Sequence, residues 1–170
     1  FWLKQRWAVR HPVILGVVGW LVLVPMWLAM VRLQATPWAL LLFMAVVWVA
    51  DTAAYAAGKA CGRRKLAPLI SPGKTWEGVL GALGGVALYY GAVMYLAPPA
   101  ASYVGGLLGL ALALIMVVLS IEGDLFESWM KRQAGVKDSG RLLPGHGGVL
   151  DRIDGLTAAL PAAALAHYLH

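Results

Sequence analysis

The feature that most constrains this chain is a series of five apolar stretches, each long enough to cross a lipid bilayer as a helix. The hydrocarbon core of a bilayer is about 30 Å thick, which a helix of roughly 20 residues spans. We expect crossings at about residues 12–31, 37–58, 79–97, 103–121 and 154–169. The expected fold class is therefore all-α: a polytopic membrane protein with about five transmembrane helices, in one membrane-embedded region covering residues 1–170.

Composition excludes the soluble alternatives. Hydrophobic residues make up 61% of the chain and charged residues 13%, whereas a soluble globular domain is nearer half apolar and a quarter charged. The net charge of +6 fits the excess of Lys and Arg in cytoplasmic loops better than a nucleic-acid surface, so we expect no nucleic-acid partner. Cys61 is the single cysteine, which excludes an internal disulfide and a cysteine-rich zinc site.

The distribution of basic residues predicts the orientation. With five crossings, Arg32 is alone on one side, and the rest of the 14 Lys and Arg residues lie on the other. The positive-inside rule assigns the basic side to the cytoplasm. Two long connections, between helices two and three and between helices four and five, then face the cytoplasm.

Acidic residues gather at the same level. Asp51, Asp124, Asp151 and Asp154 fall at or near the cytoplasmic ends of predicted helices, where an unpaired carboxylate is costly unless it binds a cation or is hydrated. In SIEGDLFESWMKR, three- and four-residue steps put one set of polar residues on a single helical face: Ser120, Asp124, Glu127, Ser128 and Lys131. Hard oxygen ligands without a Cys or His cluster suit Mg²⁺, which also binds substrate phosphates.

Two glycine-containing loops could contact phosphate. ISPGKTWEG offers Ser71, Lys74 and Thr75 around an expected flexible Pro-Gly turn before helix three, where hydroxyls, an ammonium and free N–H groups can bind an anion. LLPGHGGVLDRID places His146, Gly147 and the adjacent Gly148 just before the last helix, and these glycines allow close approach of the backbone to an anion. The first of these loops lacks the second glycine and the spacing of a Walker A motif.

The same residues resemble a known family. The stretch SWMKRQAGVKDSGRLLPGHGGVLDRID, with the upstream pieces WVADTAAYAAGK, SPGKTWEG and GDLFES, is similar to the phosphatidate cytidylyltransferases, the CDP-diacylglycerol synthases. The resemblance covers about residues 48–154 and corresponds to the C-terminal catalytic part of longer members, so we expect their N-terminal helices to be missing here. It implies a bacterial inner-membrane enzyme that makes CDP-diacylglycerol and pyrophosphate from CTP and phosphatidate with Mg²⁺ (a second cation being possible), and a possible homodimer.

The resemblance also implies roles for individual residues. Asp124 and Asp151 correspond to the family's metal centre and, with Lys74 and Lys137, form the expected catalytic set. The expected substrate-binding residues are Asp51, Ser71, Lys74, Thr75, Ser128, Lys131, Arg132, Lys137, His146, Gly147, Gly148, Arg152 and Asp154. Within that set the cations would neutralise phosphates, and Asp51 and Asp154 would orient them or add metal ligands. His146 is expected to hold phosphate, with no proton-transfer role.

Two alternatives remain open at this point. A related CTP-dependent lipid or prenol kinase or cytidylyltransferase would use a similar arrangement, and release of CDP instead of pyrophosphate would distinguish phosphoryl from cytidylyl transfer. A cation-coupled transporter would also contain intramembrane acids, but it predicts them near the bilayer midplane and on broken helices.

Overall fold

The computed structural model describes residues 11–97, 105–136, 138–140 and 148–168. Its five helices follow the predicted stretches, and the all-α membrane fold is confirmed. They are α1 (Pro12–Leu33), α2 (Pro37–Cys61), α3 (Trp76–Leu96), α4 (Gly106–Gln133) and α5 (Leu150–Tyr168). The first four are long and apolar enough to cross a membrane. The α5 helix is outside that set and carries Asp151, Arg152 and Asp154 at its start, so a fifth crossing stays a prediction.

The fourth helix runs well past its predicted membrane end. It continues from residue 121 to Gln133, so the polar stripe of SIEGDLFESWMKR is a helical face, as its spacing predicts. Gly135 ends the helix with a left-handed φ of +71°, and the Val136 N–H donates to the Lys131 carbonyl at 3.0 Å. This terminus is typical of glycine after a helix, because glycine adopts positive φ without steric cost.

Small residues let the helices approach closely. A Cβ atom added to Gly85 would lie 2.6 Å from the Ala53 Cβ, and one added to Gly78 would lie 3.0 Å from the Ala54 carbonyl oxygen. Such small-residue contacts are the usual way in which transmembrane helices pack, since lipid provides no hydrophobic drive between them. Helices α2 and α3 therefore form a tightly packed pair.

The core lies where α2 meets the other helices. Phe43 and Val47 of α2 are buried together with Met116 of α4 and Leu160 of α5. Glycines again set the helix spacing between α4 and α5, since a Cβ added to Gly123 would lie 2.7 Å from the Asp154 carbonyl oxygen. This contact fixes the ends of the two helices that carry the predicted acids.

The connection between α2 and α3 differs from the expectation. The prediction of a flexible loop is wrong at this position: strands β1 (Lys65–Ala67) and β2 (Ser71–Thr75) form an antiparallel hairpin. Ala67 and Ile70 of the hairpin are buried against Leu125 of α4. This small apolar contact is the physical reason for the order, because it ties the hairpin to the extended end of α4.

Candidate active site

A cavity of about 480 Å³ opens beneath the hairpin and collects predicted residues from three elements. Asp51 comes from α2, Ser71, Lys74 and Thr75 come from β2, and Asp124 comes from α4. The two helix residues are distant in sequence from the strand, and the hairpin's packing on α4 brings them together. The cavity therefore combines carboxylates, hydroxyls and ammonium groups, the groups that the sequence suggested for phosphate chemistry.

Lys74 lines this cavity together with Lys59, and of the two it is the one paired with a carboxylate of the cavity. Its Nζ lies 2.7 Å from Asp124 Oδ2 and donates a hydrogen bond to the Ile121 carbonyl at 3.3 Å. About a fifth of the Lys74 side chain and a third of the Asp124 side chain are exposed. The ammonium is thus held in place by α4 and still reaches the open cavity.

Thr75 has a structural function in the same wall. Its side chain is buried, and its Oγ1 accepts a hydrogen bond from the Gly78 N–H at 3.1 Å, which caps the first turn of α3. Capping satisfies an N–H group that would otherwise lack a helical partner. The position of Lys74 is therefore fixed by the start of α3 as well as by α4.

A second polar cluster surrounds Asp151 at the start of α5. Lys131 Nζ lies 2.6 Å from Asp151 Oδ1, while Oδ2 accepts hydrogen bonds from the Ser139 N–H and Oγ and from the Gly148 N–H. Burial by itself would raise the pKa of the Asp151 carboxyl, but these hydrogen bonds outweigh it and hold the pKa well below its usual range. Asp151 is therefore an anion at neutral pH and fastens together residues on both sides of the segment 140–147.

The other predicted residues lie around these two clusters. Ser128 Oγ donates to Asp124 Oδ1 at 3.4 Å, and Asp154 lies within electrostatic range of Asp124. The Arg132 guanidinium is exposed and donates to the Val136 carbonyl at 3.3 Å, and Arg152 is exposed on α5. Lys137, His146 and Gly147 lie outside the described residues.

Comparison with known protein families identifies the family of this chain. A sequence model of the cytidylyltransferase family matches residues 4–170. The chain belongs to the cytidylyltransferase family.

Individual family members agree with the resemblance drawn from the residues, which is confirmed. A Pseudomonas aeruginosa protein named phosphatidate cytidylyltransferase is 50% identical over 150 residues, covering 86% of this chain and 55% of the relative. Proteins of the same name from Brucella suis and Haemophilus influenzae are 56% and 50% identical over 68% and 72% of this chain, and 41% and 43% of their own lengths. The chain spans about half the length of the curated relatives it matches.

One residue between the two clusters was not selected from the sequence as a site residue. Glu127 is buried, at 6% exposure, and forms an ion pair with Lys131. Among the described residues, none forms a hydrogen bond to Glu127 Oε1. Its position on the shared face with Asp124 and Lys131 was the available signal, but spacing alone does not indicate which member of a polar stripe is buried.

The described residues do not form a ready metal site. No group of three or more His, Cys, Asp or Glu side chains among them is placed to hold a metal ion. Asp124 Oδ2 is paired with Lys74, and four donor atoms engage the two oxygens of Asp151. The carboxylate chemistry matches what Mg²⁺ prefers, but this arrangement satisfies the two acids with protein donors.

Proposed function

We propose that this chain forms the catalytic region of a membrane enzyme that transfers the cytidylyl group of CTP to phosphatidate. The products would be CDP-diacylglycerol and pyrophosphate. The observation that carries the proposal is the Lys74–Asp124 pair at the wall of the 480 Å³ cavity, in a chain that belongs to the cytidylyltransferase family. Relatives named phosphatidate cytidylyltransferase provide the substrate pair.

The reaction suits a site without an activated nucleophile. A phosphate oxygen of phosphatidate would form a bond to the α-phosphorus of CTP. The bond from that phosphorus to the oxygen bridging to the β-phosphate would break, and pyrophosphate would leave with the electron pair. Phosphatidate is already an anion, so the protein's task is to bring two anions together and neutralise their charge. Lys74 would neutralise phosphate oxygens, and the Ser71 hydroxyl in the same cavity would donate a hydrogen bond to them.

Lys131 would provide a second positive charge, next to Glu127 and Asp151. It is held between Glu127 and Asp151, which fixes one ammonium at the start of α5. In this part of the proposal Asp151 is a positioning residue, because its contacts orient Lys131 and both ends of the segment 140–147. That segment contains His146 and Gly147, which stay predicted phosphate contacts, as do Lys137, Arg132 and Arg152.

Mg²⁺ belongs to the proposal as the cation that the family resemblance implies. Asp124 and Asp151 stay the predicted ligands, with Asp51 and Asp154 as further oxygen donors in electrostatic range of one another. When bound, the ion would supply charge neutralisation at phosphate oxygens. Its binding would compete with the Lys74 ammonium at Asp124 and with the hydrogen-bond donors at Asp151.

The proposed orientation places the cavity on the cytoplasmic side of a bacterial inner membrane. The end of the molecule that holds the cavity carries Lys59, Lys65 and Lys74. Arg32 is in the last turn of α1, at the other end of the molecule. The positive-inside rule supports the cytoplasmic assignment. The bacterial sources of the relatives support the inner membrane, and a homodimer stays a prediction.

A product assay tests the proposal. Residues 1–170 would be assayed alone and as a replacement for the matching region of the Pseudomonas aeruginosa relative, with CTP and phosphatidate. We expect pyrophosphate and a cytidine-containing lipid in equal amounts, and their loss in the Lys74→Ala variant, with Arg32→Ala as the charge-matched control. Release of CDP with phosphorylated lipid would contradict cytidylyl transfer and favour a kinase.

A further inference from the structure

A second cavity, of about 560 Å³, lies on the connection between α2 and α3. Arg63, Arg64 and Glu77 line one part of it, and Trp76 and Leu80 line another. It shares no lining residue with the cavity that holds Lys74. A site here is therefore separate from the candidate active site.

The two arginines are held by their backbone. The Glu77 carboxylate accepts hydrogen bonds from the Arg63 N–H at 3.1 Å and from the Arg64 N–H at 3.2 and 3.3 Å. The Trp76 N–H donates to the Arg64 carbonyl at 3.0 Å. The acid nearest the arginines thus fixes the chain that carries them.

Their guanidinium groups face outward. Both arginines are exposed, and within the described part of the chain neither forms an ion pair with a carboxylate. A guanidinium binds phosphate oxygens through two parallel N–H donors, and it does so at low desolvation cost compared with an ammonium. The pair therefore provides exposed positive charge on a held backbone, although Arg64 is also within Coulombic range of the Glu77 carboxylate.

An apolar wall lies directly beside this charge. Trp76 and Leu80 are adjacent on the first turns of α3 and are 54% and 68% exposed. Helix α2 ends at Cys61 and α3 begins at Trp76, and both are long and apolar enough to cross a membrane. The wall consequently lies at the level where headgroups meet acyl chains, which is also where tryptophan is enriched.

We propose that Arg63 and Arg64, together with Trp76 and Leu80, bind an anionic phospholipid at a site outside the Lys74 cavity. The guanidinium groups contact the headgroup phosphate, and the tryptophan and leucine side chains pack against the glycerol and the upper acyl chain. A soluble phosphate would need no apolar wall. The site binds lipid whether or not the Lys74 cavity transfers cytidylyl groups.

The test is lipid retention by the purified full chain in detergent, counted by native mass spectrometry. The probe is phosphatidylglycerol, with phosphatidylcholine of the same acyl chains as the neutral comparison. We expect the wild type to retain phosphatidylglycerol preferentially, and the Arg63→Gln/Arg64→Gln variant to bind it about tenfold more weakly. Equal retention of both lipids, or unchanged retention by the double variant, would overturn the proposal.

Matched variants separate this site from general attraction to the membrane surface. A single Arg64→Gln variant should bind the lipid more weakly than the wild type. Lys65→Gln removes an adjacent exposed cation that does not line the cavity, so it should bind like the wild type. A loss of binding as large as that of Arg64→Gln would show that the effect is non-specific charge attraction. Trp76→Ala should weaken binding with all cations present, and unchanged binding would remove the apolar wall from the site.

Two further measurements identify the bound species and the cavity. Lys74→Ala should retain phosphatidylglycerol as well as the wild type does. If this variant lost the lipid, the lipid would be bound in the Lys74 cavity and the proposal would be wrong. Millimolar inorganic phosphate should leave the lipid bound. Displacement by phosphate would assign the arginines to a soluble anion instead.

Discussion

Lys74 Nζ and Asp124 Oδ2 are 2.7 Å apart, and this contact joins the hairpin to the extended end of α4. The two residues belong to elements that also meet through Ala67, Ile70 and Leu125. The ion pair is therefore supported by apolar packing next to it. The same contact sets where the ammonium stands in the cavity.

Replacing Lys74 tests whether the cavity meets a substrate phosphate. We expect Lys74→Ala to raise the KM for one of CTP and phosphatidate more than for the other, because a single ammonium contacts one phosphate group most closely. The effect should shrink at high salt, since about a fifth of the side chain is exposed and ions screen such charges. Steady-state kinetics with each substrate varied at two ionic strengths measures both. Parameters equal to those of the wild type would exclude Lys74 from substrate binding.

Replacing Asp124 tests its chemical role against a structural one. Asp124→Asn should lower kcat by more than about tenfold, equivalent to at least 1.4 kcal/mol in the barrier. It should change the free energy of unfolding by about 1 kcal/mol or less, because the pair with Lys74 is partly solvated. Glu122→Gln is the control, an exposed carboxylate on the same helix that does not line the cavity. Retention of more than a tenth of the activity by Asp124→Asn would contradict the assignment.

Asp151 is expected to hold the segment between Ser139 and Gly148. Asp151→Asn removes the charge that Lys131 and the two backbone N–H groups bind, so trypsin should cleave after Arg141, within this segment, several times faster. Ser139→Ala removes only the hydroxyl contact at 2.8 Å and should give a smaller acceleration. Identical digestion rates for all three proteins would show that the carboxylate does not restrain this segment.

The α4–α5 contact at Gly123 gives a prediction about stability. An alanine Cβ there would meet the Asp154 carbonyl oxygen at 2.7 Å, so Gly123→Ala should destabilise the fold by about 1–3 kcal/mol. Gly84→Ala is matched, because it also adds a methyl group to a helix but finds no atom within 4 Å. It should leave stability unchanged or raise it by about 0.5–1 kcal/mol. Denaturation in mixed micelles measures both variants, and equal effects would argue against close packing at Gly123.

The sequence predicted the parts of this molecule that depend on local pattern. Apolar length located each helix in the described part of the chain, and three- and four-residue spacing located the face that carries Asp124 and Lys131, because both signals repeat along one element. The hairpin could not be predicted in this way. Its strands are three and five residues long, and its order depends on contact with Leu125, far along the chain.

In the candidate site, too, residue types could be predicted from the sequence, whereas contacts between distant residues could not. Asp51, Lys74 and Asp124 were selected as chemical types, and they meet in one cavity, although their roles stay predictions. The Lys131 partner of Asp151 was not foreseen, because it reaches the carboxylate only after α4 and α5 pack together. Glu127 was passed over for a related reason, since burial of one carboxylate among several depends on that packing.

The close approach of α2 and α3 through glycine and alanine has a mechanical consequence. Helices that pack this closely at Gly78 and Gly85 form one tight pair, and the hairpin connects the end of α2 to the start of α3. Its tip, however, leans on α4. A tilt of α4 relative to α2 and α3 would move Asp124 away from Lys74. The distance between these two side chains would therefore report how α4 is aligned with the α2–α3 pair.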